Sequence, residues 1–413
     1  MLVLAHRREP AVSIDRLEAT RLSRLAPGLW KRPRNKSTEY TKLKFWMDLA
    51  RLREENNFHS LFIADILGAY DSYKGPENHR PALEAAAIFP VNDPMYIVPA
   101  MAIATRNLAF GVTASTTYEK PDAPARKFSS LDHLTEGRIA WNIVTSYLDS
   151  AAKNLGLNTQ VDHDERYRIA DAYMEVVYKL WEGSWRDDAV VKNVKTGIYA
   201  MHDRVRQINH AGNSFTVPGP HICEPSPQRI PFLFQAGTSK SGRAFGAKHA
   251  EAILVEEAEK KRKETVPGAG NLKWTKAKIA EYLRLGSIFV KAVGSPKTVV
   301  DIMERWVEVA DVDGFNLYNL VNPGSYEDII KWVLPELRRR VLFLVAVEKE
   351  GLTTREAFLG AGKRWLQHDH PGMLYKFIAE DAEIELSTPP TKRKPEVSEH
   401  NHSSLGVKED RQE

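Results

Sequence analysis

The apolar positions of this chain fall into two kinds of run. Short, nearly continuous stretches read FHSLFIAD, LAFGVTAS, RIAWNIVT, PFLFQAG, EAILVE and DGFNLYNL, with a weaker SIFVKAV. Continuous rather than alternating hydrophobicity suits strands covered on both faces, as in a parallel sheet. Between them, apolar residues recur at helical intervals over Thr38 to Asn56, MYIVPAMAIATRN, Ala123 to Leu134, Ile169 to Trp181, Trp274 to Leu285 and Lys297 to Val309. Ser325 to Arg340 is the last helix expected. Ile14 to Leu25 shows only loose helical spacing. Strands alternating with helices predict an α/β fold with a parallel sheet, and the strand count falls one or two short of an eight-stranded barrel.

Several strands end in polar clusters. LAFGVTAS gives way to Thr113, Ser115, Thr116, Thr117 and Tyr118, and RIAWNIVT to Thr145, Ser146, Tyr147 and Asp149. In a parallel barrel the carboxyl ends of the strands open onto the active site, so these clusters read as a binding face. Asp65 closes FHSLFIAD, where a carboxylate serves as a ligand or as the cap of the next helix. PFLFQAG runs into TSKSGR. Gly237 ends the strand, Thr238, Ser239 and Ser241 offer hydroxyls, Lys240 or Arg243 could add charge, and the following helix presents free N–H groups. That suits a phosphate, and it also suits a plain strand-to-helix turn.

His163 and Tyr167 lie four apart in DHDERY, so on a helix they share a face and both can donate to an anion. The competing reading is a capped helix start with Asp162 or Asp164 as N-cap. Trp30, Tyr118, Trp141, Tyr147 and Phe234 are candidates for pocket walls or core, and Asp132 and His133 read as local capping or salt-bridging groups.

Composition narrows the partner. A formal charge of +4, from 58 basic and 54 acidic residues, is too balanced for a nucleic-acid or membrane-surface partner and points to a small molecule. The single cysteine, Cys223, excludes an internal disulfide and a cysteine-based zinc cluster, which fits a reducing, cytoplasmic compartment. His368 and His370 have no partners at metal spacing, so no metal is expected. No apolar run reaches the roughly 18 residues of a membrane span. Glu9, Asp15 and Glu18 among the early arginines argue against a transit peptide.

Long ordered blocks carry a family likeness: APGLWKRPRNKS, FIADILGAYDSY, VNDPMYIVPAMA, FGVTASTTYEKPDAPARKFSSLDHLTEGRIAWNIVTSYLDSAAKNLGL, DHDERY, CEPSPQRIPFLFQAGTSKSGRAFGAKHAEAI, VDGFNLYN and TTREAFLGAGKRWLQHDHPGMLY. Together they resemble the nitrilotriacetate monooxygenase component A and dibenzothiophene-sulfone monooxygenase branch of the bacterial-luciferase-like flavin monooxygenases.

The resemblance implies a TIM (β/α)8 barrel and reduced FMN supplied by a separate NAD(P)H-dependent flavin reductase. It also implies insertion of one oxygen of O2 into a small nitrogen- or sulfur-containing substrate through a flavin hydroperoxide. It implies FMN contacts at Asp65, Thr113, His163, Tyr167 and Ser239, and a homodimer is among the expected assemblies. A deazaflavin-dependent reductase of the same superfamily fits the fold but not these blocks.

Two departures from the branch stand out. HRREPAVSIDRLEATRLSRL does not look like the first barrel strand of relatives. After Ile253, where relatives carry roughly a hundred further residues, a span the size of a small domain, only a charged linker at 256–271 follows. The expected organisation is an atypical N-terminal segment (1–26), an incomplete barrel (27–378) and a disordered tail (379–413). The competing functional reading is a truncated family member with weak or no flavin binding and no catalysis.

Overall fold

The computed structural model describes residues 2–4, 16–21, 28–75, 77–255, 292–347 and 349–378; for 2–4, 16–21 and Val255 only the backbone is described. The strand SIFVKAV, the helix at Trp274 to Leu285, the linker at 256–271 and the tail at 379–413 lie wholly or mostly outside these residues. By its internal contacts the chain separates into one unit at Met1–Phe377 and another at Ile378–Glu413.

Twelve strands are described in chain order: β1 (Leu2–Leu4), β2 (Arg16–Arg21), β3 (Ser60–Ile63), β4 (Ala109–Ser115), β5 (Ile139–Val144), β6 (Val190–Asn193), β7 (Ile198–Ala200), β8 (His210–Ala211), β9 (Thr216–Val217), β10 (Phe232–Gln235), β11 (Ala252–Val255) and β12 (Gly314–Tyr318). The pairs β6–β7 and β8–β9 are small antiparallel ribbons. The other eight strands form a closed ring in the order β1-β11-β10-β5-β4-β3-β2-β12.

Seven of these run parallel, and β1 lies antiparallel between β11 and β12. The parallel set is thus one strand short of eight, within the expected shortfall, but the ring is closed where an incomplete barrel was expected. The ring holds seven, and a three-residue antiparallel strand occupies the place between β11 and β12. The helical reading of Ile14 to Leu25 is corrected too, because Arg16–Arg21 pairs in parallel with both β12 and β3.

Alternating residues separate two layers of core. Outward residues of the strands, among them Leu61, Phe110, Val112, Ile139, Trp141, Ile143 and Leu233, pack in one cluster with the helices Leu43–Glu54, Asp122–Leu134 and His163–Gly183. The barrel interior is filled by Phe62, Ala140, Phe232, Phe234, Ala252, Leu254 and Phe358. Gly111 of β4 leaves the space in which the Phe62 and Phe234 rings meet edge-on at 5.8 Å; a Cβ there would lie 3.0 Å from Phe62.

Phe358 comes from a helix at Thr354–Leu359 that sequence periodicity did not foresee after Ser325 to Arg340. Its start is a capping box between Thr353 and Glu356. The Thr354 N–H donates to the Gly137 carbonyl just ahead of β5, and Arg355 donates to the Ile230 carbonyl just ahead of β10. Arg355 also forks onto Glu251, just ahead of β11. The helix therefore plugs the amino ends of the strands, stacking Phe358 on Phe232 at 4.8 Å. The segment from Ser325 to Arg340 is itself broken into Gly324–Asp328, a π-helical turn at Ile329–Val333, and Leu334–Arg339.

Candidate functional site

The strands carrying the candidate residues are neighbours. β3, β4, β5 and β10 lie side by side and parallel, so Asp65, the end of β4, Thr145 and Gly237 come to one end of the ring. Asp65 sits two residues beyond β3 and is half-buried. Thr113 on β4 is buried and points inward, in register with Asn142 of β5, which in turn pairs with Phe234 of β10.

Asn142 is a further candidate that the sequence reading passed over. Its Nδ2 donates to Thr113 Oγ1 at 3.0 Å, while its Oδ1 is buried without a hydrogen-bond partner among the described residues. Leaving a buried amide oxygen unpaired costs on the order of 1–3 kcal/mol, so such an atom is a marked polar point in an aromatic interior. A lone polar residue inside the apolar run RIAWNIVT was the signal for it.

The second half of the site is built by two helix starts. Asp162 caps His163–Gly183 by accepting from the Asp164 N–H, which puts His163 and Tyr167 on the first turns. Ser239 caps Lys240–His249 by accepting from the Gly242 N–H at 3.0 Å. The two starts touch: Ser241 Oγ donates to Asp164 Oδ1 at 2.7 Å, and His163 Nδ1 lies 2.8 Å from the same oxygen. These contacts, Ser241 first and His163 second, hold the Asp164 carboxyl below its ordinary range.

Tyr167 packs edge-on against His163 at 5.2 Å and reaches the turn after β10. A Cβ on Gly237 would lie 2.6 Å from the Tyr167 hydroxyl, and one on Gly242 2.8 Å from it. Two glycines thus let the Tyr167 hydroxyl and the two backbones pack closely at the junction of two helix N-termini, where the helix dipoles favour an anion. His163, Tyr167 and Ser239 meet at this corner, and Thr113 lies deeper on the adjoining strands.

The wall candidates divide. Trp141 and Phe234 are fully buried core. Trp30 and Tyr147 are exposed; Tyr147 meets the Tyr70 hydroxyl at 2.5 Å, a hydrogen bond joining the loops after β3 and β5. Tyr118 accepts from Gln160 Nε2.

The local reading of Asp132 and His133 is corrected. Buried Asp132 accepts two bonds from the distant Gln228, and His133 bonds the Glu224 carbonyl. Asp132 pins the loop before β10 to the helix Asp122–Leu134 and takes no part in the site. Among the described residues no His, Cys, Asp or Glu cluster is arranged to hold a metal ion, and no helix is long and apolar enough to cross a membrane.

Comparison with known proteins adds the family. Residues 29–269 match the luciferase-like monooxygenase family. The long-chain alkane monooxygenase of Geobacillus thermodenitrificans is 40% identical, with 89% of this chain and 98% of that protein aligned. The crystal structure of a long-chain alkane monooxygenase (LadA) superposes with a TM-score of 0.78 at 38% identity, covering 87% of this chain and 99% of that one.

The dimethyl-sulfide monooxygenase of Hyphomicrobium sulfonivorans is 35% identical over 88% of this chain and 94% of its own. The structure of DmoA from that organism gives a TM-score of 0.78 at 34% identity, covering 92% and 99%. A riboflavin lyase (RcaE) crystallised with modified FMN and riboflavin gives 0.76 at 28% identity, covering 88% and 99%. The alkane monooxygenase alignment spans 437 positions, longer than this whole chain, so that relative carries residues with no counterpart here. The chain belongs to the luciferase-like family and is a flavin-dependent monooxygenase of it.

Proposed function

We propose that this chain is the oxygenase component of a two-component system. It takes reduced FMN from a separate flavin reductase and inserts one oxygen atom of O2 into a small, uncharged organic substrate. The observation that carries this reading is the convergence of two helix N-termini, joined by Ser241 and Asp164, beside Ser239, His163 and Tyr167.

The residues fit FMN. The phosphate belongs at the Ser239 corner, with the Tyr167 hydroxyl and His163 as further donors. The ring belongs over Thr113 and Asn142, whose unpaired Oδ1 meets the need of a ring N–H donor. Asp65 lies on the adjoining strand end. Bound and reduced, the flavin supplies the electrons that activate O2. The protein orients it, keeps water away with the apolar interior of Phe62, Phe234 and Leu254, and holds substrate nearby.

The names of two relatives, a long-chain alkane monooxygenase and a dimethyl-sulfide monooxygenase, favour an uncharged substrate over a carboxylate such as that in the name of the less similar nitrilotriacetate monooxygenase component A, 27% identical. A compound with nitrogen or sulfur beside the attacked carbon is the narrower form of this proposal. One observation favours a second reading, a member without catalysis: a parallel strand is replaced in the ring by antiparallel β1.

Calorimetric titration with FMN, followed by assay with a flavin reductase, NADH and candidate sulfides, amines and alkanes, separates the two. Micromolar FMN binding with substrate-dependent oxygen insertion supports the first. An absence of FMN binding, or oxidation of reduced FMN that yields peroxide alone with every candidate, supports the second.

A further inference from the structure

The place between β11 and β12 is filled by residues that no family match covers, since that match begins at residue 29. Leu2, Val3 and Leu4 register with Val255, Leu254 and Ile253 of β11 on one side, and Leu2 and Val3 with Phe315 and Gly314 of β12 on the other. Among the described residues β11 is otherwise tied to the ring at two positions, Phe234 to Ala252 and Gln235 to Ile253. Its start is fixed independently by Glu251, which bonds Leu233 and Arg355, but among the described residues the strand pairing of Leu254 and Val255 toward the mouth is with β1. β12 keeps five paired positions with β2.

We propose that the seam between β11 and β12 is a strand-docking groove whose occupant is Leu2–Leu4. This strand, by closing the ring at its mouth, holds the site in its binding geometry. Unpaired, the seam would leave two open sheet edges beside the site, exposing backbone N–H and C=O groups. β11 pairs in parallel with the outer half of β10, Phe234 and Gln235, which leads into the turn carrying Ser239. Fraying of β11 toward the mouth would therefore loosen the strand behind the anion corner. The FMN part of this inference rests on the function proposed above; the structural part does not.

The test uses the full-length chain. Val3→Pro removes a ladder N–H at the centre of the strand, while Val3→Ala keeps it. Val3→Pro is expected to melt several degrees lower and to bind FMN at least about tenfold more weakly, a loss of about 1.4 kcal/mol. Val3→Ala should stay close to the unmodified chain. In the unmodified chain, the amides of Leu254 and Val255 should resist hydrogen exchange as well as those of Ala252 and Ile253.

Fast exchange at Leu254 and Val255, or a Val3→Pro protein that melts and binds like Val3→Ala, overturns the proposal. Should Val3→Pro fail to fold, the exchange measurement decides alone. Should the unmodified chain not bind FMN, melting and exchange still decide the groove while the proposed function falls.

Discussion

Gly237 and Tyr167 come from distant elements and fit one another by the absence of a side chain: a Cβ on the glycine would stand 2.6 Å from the tyrosine hydroxyl. The same Cβ would also meet Gln235 Nε2 and the Gly242 backbone, so Gly237→Ala should push both side chains off the turn, weaken FMN by tenfold or more and cost about 1–3 kcal/mol of stability by overpacking. Tyr167→Phe in the same chain relieves only the contact with the tyrosine and should recover part of the stability but not the FMN affinity. Titration calorimetry and thermal melts of the three proteins check this; equal FMN affinity in all of them would remove this corner from the proposed site.

Ser239 caps a helix in this fold and holds phosphate in the proposed site, and the two roles separate by substitution. As N-cap it accepts from Gly242 N–H, so Ser239→Ala should cost about 1 kcal/mol of stability and also weaken FMN. Ser239→Asp preserves the cap and sets a negative charge where the phosphate belongs. It should melt near the unmodified chain while FMN binding is lost.

Acid sensitivity should come in two stages. His221 is 3% exposed, and burial pushes its imidazole down to about 4. A histidine with a lowered folded pKa contributes stability that is complete above its ordinary 6.5 and lost as pH falls toward 4, on the order of 3 kcal/mol in all. His221→Gln should flatten this part of the stability curve between pH 6.5 and 4, measured by urea unfolding across pH.

The second stage belongs to Asp171. It takes a 2.6 Å contact from His249 Nε2, while Tyr178 Oη lies 3.0 Å from His249 Nδ1. A neutral imidazole that donates at Nε2 and accepts at Nδ1 satisfies both contacts. This agrees with burial lowering the His249 pKa even as His249, with Lys248 beyond, holds the Asp171 carboxyl down to about 2. Stability from Asp171 is present above its ordinary 3.8 and lost as pH falls through 2. Asp171→Asn should remove the loss in that lower window.

Phe358 tests the plug. Its ring, fully buried, meets Phe232 at 4.8 Å and Phe234 at 5.3 Å. Phe358→Ala should cost about 3–5 kcal/mol. A fall in the urea midpoint with an unchanged slope would show lost packing rather than a changed unfolded state.

The strands most legible in the sequence were those whose burial on both faces forces continuous hydrophobicity, from Leu61 and Phe62 to Leu233 and Phe234. β2 escaped because RLEATR alternates charge with small and apolar residues and carries no β-branched run. β1 escaped because three residues hold no period at all. The helix at Thr354 is too short for periodicity, but its T-x-x-E start was a usable signal. The helix starts at Asp162 and Ser239 were legible through cap chemistry, whereas His163, Tyr167 and Ser239 entered the proposed site through the family resemblance. Asn142 was hidden because the apolar strand around it outweighed one amide.

The plug at Thr354–Leu359 seals the amino ends of the strands, and that imposes a sequence of arrivals. A vessel with a stopped floor is served through one doorway, where the deepest guest enters first and leaves last. In the proposed assignment the flavin ring rests on Thr113 and Asn142, below the rim where substrate waits. Product must then depart before spent flavin can be exchanged with a reductase, and excess substrate should slow that exchange by standing in the door.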